Sequence, residues 1–198
     1  MRLYLDSARC ETLCDALAAA LAEAPLFVPR MPRTGKPMSV RMANLGPLGW
    51  VTDKEGGYRY QPHHPETGRP WPAMPDVLLD AWHDLTDETR APQACLVNLY
   101  EGRARMGLHQ DRDEEDLTAP VVSLSLGATA RFRVGGLKRR DPTRSFELAH
   151  GDAVVLEGPS RLAYHGIDRI VPDTGPVLPE ALAPSGARIN LTLRRVTA

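Results

Sequence analysis

Arg188-Ile189-Asn190-Leu191-Thr192-Leu193-Arg194, close to the end of a 198-residue chain, alternates without a break. Successive residues of a strand point to opposite faces. Ile189, Leu191 and Leu193 therefore share one side, and Arg188, Asn190, Thr192 and Arg194 share the other. The apolar side asks for a core. The polar side is harder to place, because two inward-facing arginines are costly unless they meet anions. An edge strand with a wet arginine face accounts for the same pattern. A small dicarboxylate accounts for it with both arginines in use, since guanidinium forks match carboxylates bidentately.

The stretch upstream has the same texture. From Pro92 onward, short alternating runs are separated by turns, and strands are expected at Ala94–Tyr100, Val121–Leu126, Ala130–Val134, Ser145–Leu148, Ala153–Leu156, Leu162–His165 and Ile189–Val196. So many short strands point to a sandwich or barrel. Before Pro92 the chain differs. Asp6 or Ser7 can cap a helix over Ala8–Ala24, and Pro75 at a first helical position opens a second helix to Asp87, with Leu78, Ala81, Trp82 and Leu85 as its apolar stripe. Between them lies a turn-rich stretch with short extended pieces at Met38–Met42 and Tyr58–Gln61. The expected class is α+β, helices first and an antiparallel double sheet after. The proline-rich segment Val171–Gly186 reads as an excursion within one domain, not as a boundary.

Composition limits the function classes. Apolar residues make up 42% and charged residues 25%, which excludes a disordered chain or a fibre. The longest apolar run, Ala16–Ala22, is far short of the ~20 residues that span a bilayer, so no membrane partner is expected. A net charge of −1 excludes a wholly basic nucleic-acid coat but not a local basic patch. One such patch exists: between Arg131 and Arg144, Arg131, Arg133, Lys138, Arg139, Arg140 and Arg144 face a single acid, Asp141. Phosphate contacts account for that cluster, and a solvated hairpin accounts for its members singly. Cys10, Cys14 and Cys95 cannot all pair, and the first residues lack the apolar stretch of a signal peptide. Both features suggest a reducing, cytoplasmic setting. Cys10 and Cys14 have the spacing of two ligands or a redox pair, but they share a helix face with Leu13, Leu17 and Leu21 and read better as core. Nothing demands a dimer, and a monomer is expected.

The sharpest chemical feature is Leu108-His109-Gln110-Asp111. On an extended segment, His109 and Asp111 aim at one point. Tyr164-His165-Gly166 offers a second histidine downstream. Two histidines and a carboxylate on one face of a metal leave three positions open, as in non-haem Fe(II) oxygenases. Zinc accepts the same donors, although no His-Glu-x-x-His helix is present. The bland alternative is a solvated acidic loop, because Asp113, Glu114, Glu115 and Asp116 follow directly. Asn98 and Tyr100 share a strand face and can donate hydrogen bonds to the same small molecule, or form a buried pair satisfied by backbone.

Taken together these residues resemble the AlkB family of Fe(II)- and 2-oxoglutarate-dependent dioxygenases. The likeness runs from about Met38 to the C-terminus. It includes Met38-Ser39-Val40, Leu48-Gly49-Trp50, Arg69-Pro70-Trp71-Pro72-Ala73-Met74-Pro75, Leu108–Asp116, Val122-Ser123-Leu124-Ser125-Leu126-Gly127, Gly135-Gly136-Leu137-Lys138-Arg139, Tyr164-His165-Gly166 and the closing Arg-x-Asn-x-Thr-x-Arg.

The resemblance implies a double-stranded β-helix, or jelly roll. The whole chain would be one dioxygenase domain, with a nucleotide-recognition lid and support helix over about 38–92 and the catalytic core over 93–198. It implies Fe(II) on His109, Asp111 and His165, with 2-oxoglutarate and O2 as cosubstrates. Arg188 would pair with the distal carboxylate of 2-oxoglutarate and Arg194 would lie near the chelating one, with Asn98, Tyr100 and Asn190 completing the pocket. The implied reaction is demethylation of 1-methyladenine and 3-methylcytosine in DNA, with RNA a second candidate and single strands accepted. Formaldehyde, succinate and CO2 are released. Trp50 would stack on the base opposite the His109 ring, Tyr58 and Asp113 would sit at the rim, and Lys138 and Arg139 would meet phosphates. One position departs from the family: Leu156 stands where members commonly carry tryptophan, which implies a reshaped wall. Two other readings compete. One is the same iron chemistry on a non-nucleic-acid substrate, and the other is a jelly-roll binding module without metal.

Overall fold

The computed structural model describes residues 2–198. In chain order its elements are β1 (Arg2–Leu3), α1 (Ser7–Glu23), β2 (Arg41–Leu45), β3 (Gly49–Asp53), β4 (Gly57–Gln61), α2 (Asp76–Leu85), β5 (Ala94–Tyr100), β6 (Met106–His109), β7 (Val121–Gly127), β8 (Ala130–Val134), β9 (Arg144–Leu148), β10 (Asp152–Leu156), β11 (His165–Ile170) and β12 (Arg188–Arg194). The Asp6 carboxylate caps α1 by accepting the Arg9 N–H at 2.9 Å. Pro75 sits one position earlier than expected, at the N-cap of α2 itself. That helix stops at Leu85, where the Thr86 hydroxyl turns back to the Trp82 carbonyl.

All strand pairs are antiparallel. Six strands form a major sheet in the order β1-β10-β7-β12-β5-β2, and four form a minor sheet in the order β6-β11-β8-β9. This is the double-sheet arrangement expected of a jelly roll. Strands β3 and β4 make a separate two-stranded hairpin. The core has two layers. One lies between the helices and the outer face of the major sheet, where Leu13, Leu17, Leu78 and Trp82 meet Leu99, Leu124, Ile189, Leu191 and Leu193. The three cysteines are buried there as free thiols, and burial pushes Cys95 up to about 12. The other layer lies between the sheets, with Leu96, Tyr100, Phe132, Leu148, Val154, Leu156 and Ile167.

β12 is central, with β5 on one side and β7 on the other. Its alternation therefore separates two environments. Ile189, Leu191 and Leu193 enter the helix-side core, and Arg188, Asn190, Thr192 and Arg194 enter the space between the sheets. It is a buried strand and not a wet edge.

Three expectations need correction. The strand placed at Leu162–His165 instead begins at His165 and runs to Ile170. Residues 158–164 form a turn, closed by bonds from Arg161 N to Gly158 O and from Ala163 N to Ser160 O. The extended piece at Met38–Met42 lies three residues further on, as β2. Strands β1, β3 and β6 lie outside the strands expected from the sequence, and in β6 Gly107 interrupts the side-chain alternation. The segment 171–187 is an excursion, pinned by Leu178 and Leu182 in the core.

Candidate metal centre and cosubstrate pocket

One cavity of about 600 Å³ opens between the sheets. It is large enough for a small acid and a base together. Every site residue expected from the sequence lines it except Lys138.

The metal-type cluster follows from strand pairing. His109 ends β6 and His165 begins β11, and the two are direct partners in the ladder. Cross-strand neighbours share a face. The ring centroids are 4.5 Å apart. Gly166 permits this approach, since a Cβ there would stand 2.5 Å from the Met106 carbonyl oxygen. Two residues beyond His109, Asp111 brings its Oδ1 to 3.7 Å from His109 Nε2 and its Oδ2 to 3.7 Å from His165 Nε2. One ligand atom from each residue lies within 4.8 Å of the others.

Each ring has its other nitrogen engaged. His109 Nδ1 lies 2.9 Å from the Gly107 carbonyl, and His165 Nδ1 lies 2.9 Å from the Ala163 carbonyl. A carbonyl only accepts, so both Nδ1 atoms carry the proton and both Nε2 lone pairs face the cluster. Burial lowers the His165 pKa, favouring that neutral ring. Burial acts to raise Asp111, but the Arg194 guanidinium outweighs it and holds the carboxylate well below its usual range. Asp111 Oδ1 accepts from Arg194 Nη2 at 2.8 Å, while the buried Oδ2 has no partner. An orphaned anionic oxygen clustered with two imidazole lone pairs fits a divalent cation.

Further in, Arg188 is fully buried without a carboxylate in hydrogen-bond reach. Its Nη1 donates to the Ala128 and Leu148 carbonyls at 3.3 and 3.1 Å, and its Nη2 to Ser125 Oγ at 2.7 Å. Its Nε has no acceptor. Burial drags its pKa down to about 10. A buried guanidinium is expensive unless it meets an anion, so this end of the cavity fits a carboxylate. Asn98 and Asn190 lie between Arg188 and the cluster. Asn98 Nδ2 donates to Asn190 Oδ1 at 3.3 Å, and Asn190 Nδ2 donates to Ser123 Oγ at 2.7 Å. Asn98 Oδ1 is buried and unpartnered. The Tyr100 phenol, buried at the same end, is raised by that burial.

The mouth is aromatic and acidic. Trp50 on β3 and Tyr58 on β4 stack at 5.5 Å with 23° between their planes. The Trp50 indole N–H donates to Asp113 Oδ2 at 2.8 Å. Asn44 holds the backbone of Trp50 on both sides, accepting its N–H and donating to its C=O at 3.0 Å each. Gly49 precedes Trp50 and has the Trp71 indole where a Cβ would be. Arg139 reaches the rim, donating to the Leu108 carbonyl at 2.8 Å. Lys138 is exposed outside the cavity in the β8–β9 turn, which the Asp141 carboxylate closes. Arg133 is already neutralised by Asp168 at 2.9 Å, whereas Arg131, Arg140 and Arg144 are exposed. Leu156 is part of the cavity wall.

The solvated-loop reading of the acidic run is half right. Asp113 and Glu115 are exposed, but Glu114 and Asp116 are buried. Glu114 meets Arg161, Arg194 and the Tyr60 hydroxyl, and Asp116 meets Arg90 at 2.7 Å. Arg161, Tyr60, Glu114 and Asn44 are the site-forming residues that the sequence reading missed. Only the alternation of Glu114 and Asp116 hinted at them.

The model of the 2OG-Fe(II) oxygenase superfamily matches residues 1–194. The α-ketoglutarate-dependent dioxygenase AlkB homolog of Caulobacter vibrioides is 56% identical over 191 residues, covering 96% of this chain and 84% of that protein. The α-ketoglutarate-dependent dioxygenase AlkB of Escherichia coli is 45% identical, covering 81% and 73%. The solved structure of OsALKBH1 superposes with a TM-score of 0.77 at 28% identity, covering 98% and 93%. Among the described residues no helix is long and apolar enough to cross a membrane. The chain therefore belongs to the 2OG-Fe(II) oxygenase superfamily, within its AlkB family.

Proposed function

We propose that this chain demethylates N-alkylated nucleobases, 1-methyladenine and 3-methylcytosine foremost, using Fe(II), 2-oxoglutarate and O2. The products are the unmodified base, formaldehyde, succinate and CO2. The observation that carries the reading is that one cavity joins the His109–Asp111–His165 cluster, the Arg188 guanidinium with no carboxylate in hydrogen-bond reach and the Trp50–Asp113 mouth. The names of the bacterial relatives, both α-ketoglutarate-dependent dioxygenases, support it.

In this reading His109, Asp111 and His165 hold iron. Arg188 takes the distal carboxylate of 2-oxoglutarate, Arg194 lies beside the near one, and Asn98, Tyr100 and Asn190 line the space between. Bound iron and cosubstrate supply the oxidising power that hydroxylates an N-methyl carbon. The chain's residues present that carbon. A methyl group on a paired base is out of reach, so the nucleotide must be flipped out. N1-methyladenine and N3-methylcytosine are cations, and a flipped cation is stabilised by the Trp50 face and the Asp113 carboxylate. The 38–92 segment acts as lid and support, and residues 93–198 as the core of one domain. Arg139 and Lys138 contact the flanking phosphates. Single-stranded DNA is the simplest substrate because it needs no unpairing, RNA is a second, and the chain works as a cytoplasmic monomer.

The test is a product assay on 3-methylcytosine in single-stranded DNA and in its RNA counterpart, with Fe(II), 2-oxoglutarate and ascorbate. Formaldehyde should appear only when 2-oxoglutarate is present. No release from either oligonucleotide sinks the reading.

A further inference from the structure

Behind the metal-type cluster lies a buried charge network that holding iron and cosubstrate does not by itself require. Glu114 is at its centre, with 1% of its side chain exposed. Its Oε2 accepts from Arg161 Nη2 at 3.2 Å. Its Oε1 accepts from the Tyr60 hydroxyl of the β3–β4 hairpin and lies 3.3 Å from Arg194 Nε. That last contact is close without being a hydrogen bond, and Arg194 Nε has no acceptor. The other end of Arg194 donates to Asp111 Oδ1 at 2.8 Å. Arg161 fixes the frame, donating to the Asp111 backbone carbonyl and to the Ala119 carbonyl at 2.6 Å each. One guanidinium is thus divided between two carboxylates, one in the metal-type cluster and the other tied to the hairpin that carries Trp50 and Tyr58.

We propose that Glu114 is a positioning residue that competes with Asp111 and with the cosubstrate for Arg194, and that the Tyr60 hydroxyl sets how strongly Glu114 pulls. This rests on the assignment of iron to the His109–Asp111–His165 cluster and of 2-oxoglutarate to the arginine end of the cavity.

The two carboxylates and the two guanidiniums of the network balance in charge. Removing the charge of Glu114 leaves Arg194 with Asp111 alone. Arg194 then draws more on Asp111, which becomes a poorer donor to a cation. The added positive charge meanwhile strengthens attraction for a dianion. Removing the Tyr60 hydroxyl has the opposite effect. Glu114 Oε1 loses its donor and takes Arg194 Nε instead, so Arg194 is drawn away from Asp111 and from the cosubstrate. Anion binding weakens and cation binding does not.

The experiment titrates Mn(II), and then 2-oxoglutarate on the Mn(II)-loaded protein, by calorimetry. It uses the full chain, wild type and variants, without nucleic acid. Glu114→Gln should bind Mn(II) roughly tenfold more weakly and 2-oxoglutarate about threefold more tightly. Tyr60→Phe should bind 2-oxoglutarate about threefold more weakly, with Mn(II) affinity retained. A merely structural role moves both ligands downward in both variants. That pattern, or no change in either, overturns the proposal while leaving the site assignment standing. A wild-type chain that binds neither ligand overturns the assignment and the proposal together. If Glu114→Gln does not fold, Tyr60→Phe decides alone: weakened 2-oxoglutarate with retained Mn(II) supports the proposal, and any other result overturns it.

Discussion

Ile189, Leu191 and Leu193 are fully shielded from solvent on one face of β12, and Arg188 is shielded as completely on the other. Burial alone therefore does not separate structure from function in this strand. The difference lies in what each face meets. The apolar side chains interdigitate with Leu13, Leu17, Leu99 and Leu124, and each contributes about 1.5–3 kcal/mol of transfer free energy. The polar face keeps unfilled valences: Arg188 Nε and Arg194 Nε lack acceptors, and Asn98 Oδ1 and Asp111 Oδ2 lack donors or a cation. Buried polar groups are normally paired. A row of unpaired ones along one cavity is a cost to the folded chain that a ligand can repay. One strand thus carries a face selected for stability and a face that sacrifices some.

That contrast can be broken most completely at Asp111. Asp111→Asn keeps the shape but offers the cluster no anionic oxygen. Metal content after anaerobic Fe(II) loading should fall to background, and 2-oxoglutarate turnover with it. A variant that retains both would remove Asp111 from the site. At Arg188 the expected effect is large but confined to the cosubstrate. Arg188→Met should weaken 2-oxoglutarate by roughly 30-fold or more, the cost of losing one side of a buried charged contact. The ligand-free protein should not melt lower, because an uncompensated buried charge has been removed. Thermal shift with and without 2-oxoglutarate separates the two effects. Leu191→Ala should give the inverse result. Its cavity costs about 2–5 kcal/mol, and a chain of this size loses roughly 2–4 °C per kcal/mol. The folded fraction should still bind 2-oxoglutarate as wild type does. Equal effects on stability and affinity in both variants would dissolve the distinction between the faces.

The residues that the sequence made legible share one property: their relation is local. The alternation of 188–194 and the i, i+2 spacing of His109 and Asp111 follow from strand geometry alone. So do the faces of Asn98 and Tyr100 and the apolar stripes of α1 and α2. What stayed hidden depends on distant partners. Glu114 meets Tyr60 across 54 positions and Arg161 across 47. Asn44 is legible only once β2 lies beside β3. The start of β11 was misplaced for the same reason. Leu162-Ala163-Tyr164 has strand character, but the buried fork of Arg161 and the turn at 158–164 hold it out of the ladder. Local pattern cannot report a tertiary anchor that overrides it.

The basic segment gives the smallest effect, and it repeats the contrast at the surface. Arg133 and Arg139 look equivalent as sequence, six residues apart in one basic run. Their surroundings differ. Arg133 is held by Asp168 at 2.9 Å. Arg139 donates to the Leu108 carbonyl, lies 5.9 Å over the Tyr164 ring and has no carboxylate partner. Its fixed position beside His109 leaves its charge available to an anion at the mouth of the cavity. Arg139→Gln should therefore weaken binding of a methylated oligonucleotide only modestly at physiological salt. It should also reduce the slope of log affinity against log salt by about one unit. Arg133→Gln should leave that slope unchanged, because its charge is already paired with Asp168. The measurement is a fluorescence-anisotropy titration at several salt concentrations. Equal slopes for the two variants would mean that the whole hairpin acts as a diffuse positive field. Unequal slopes would mean that a specific arginine, placed by the fold, meets a specific phosphate.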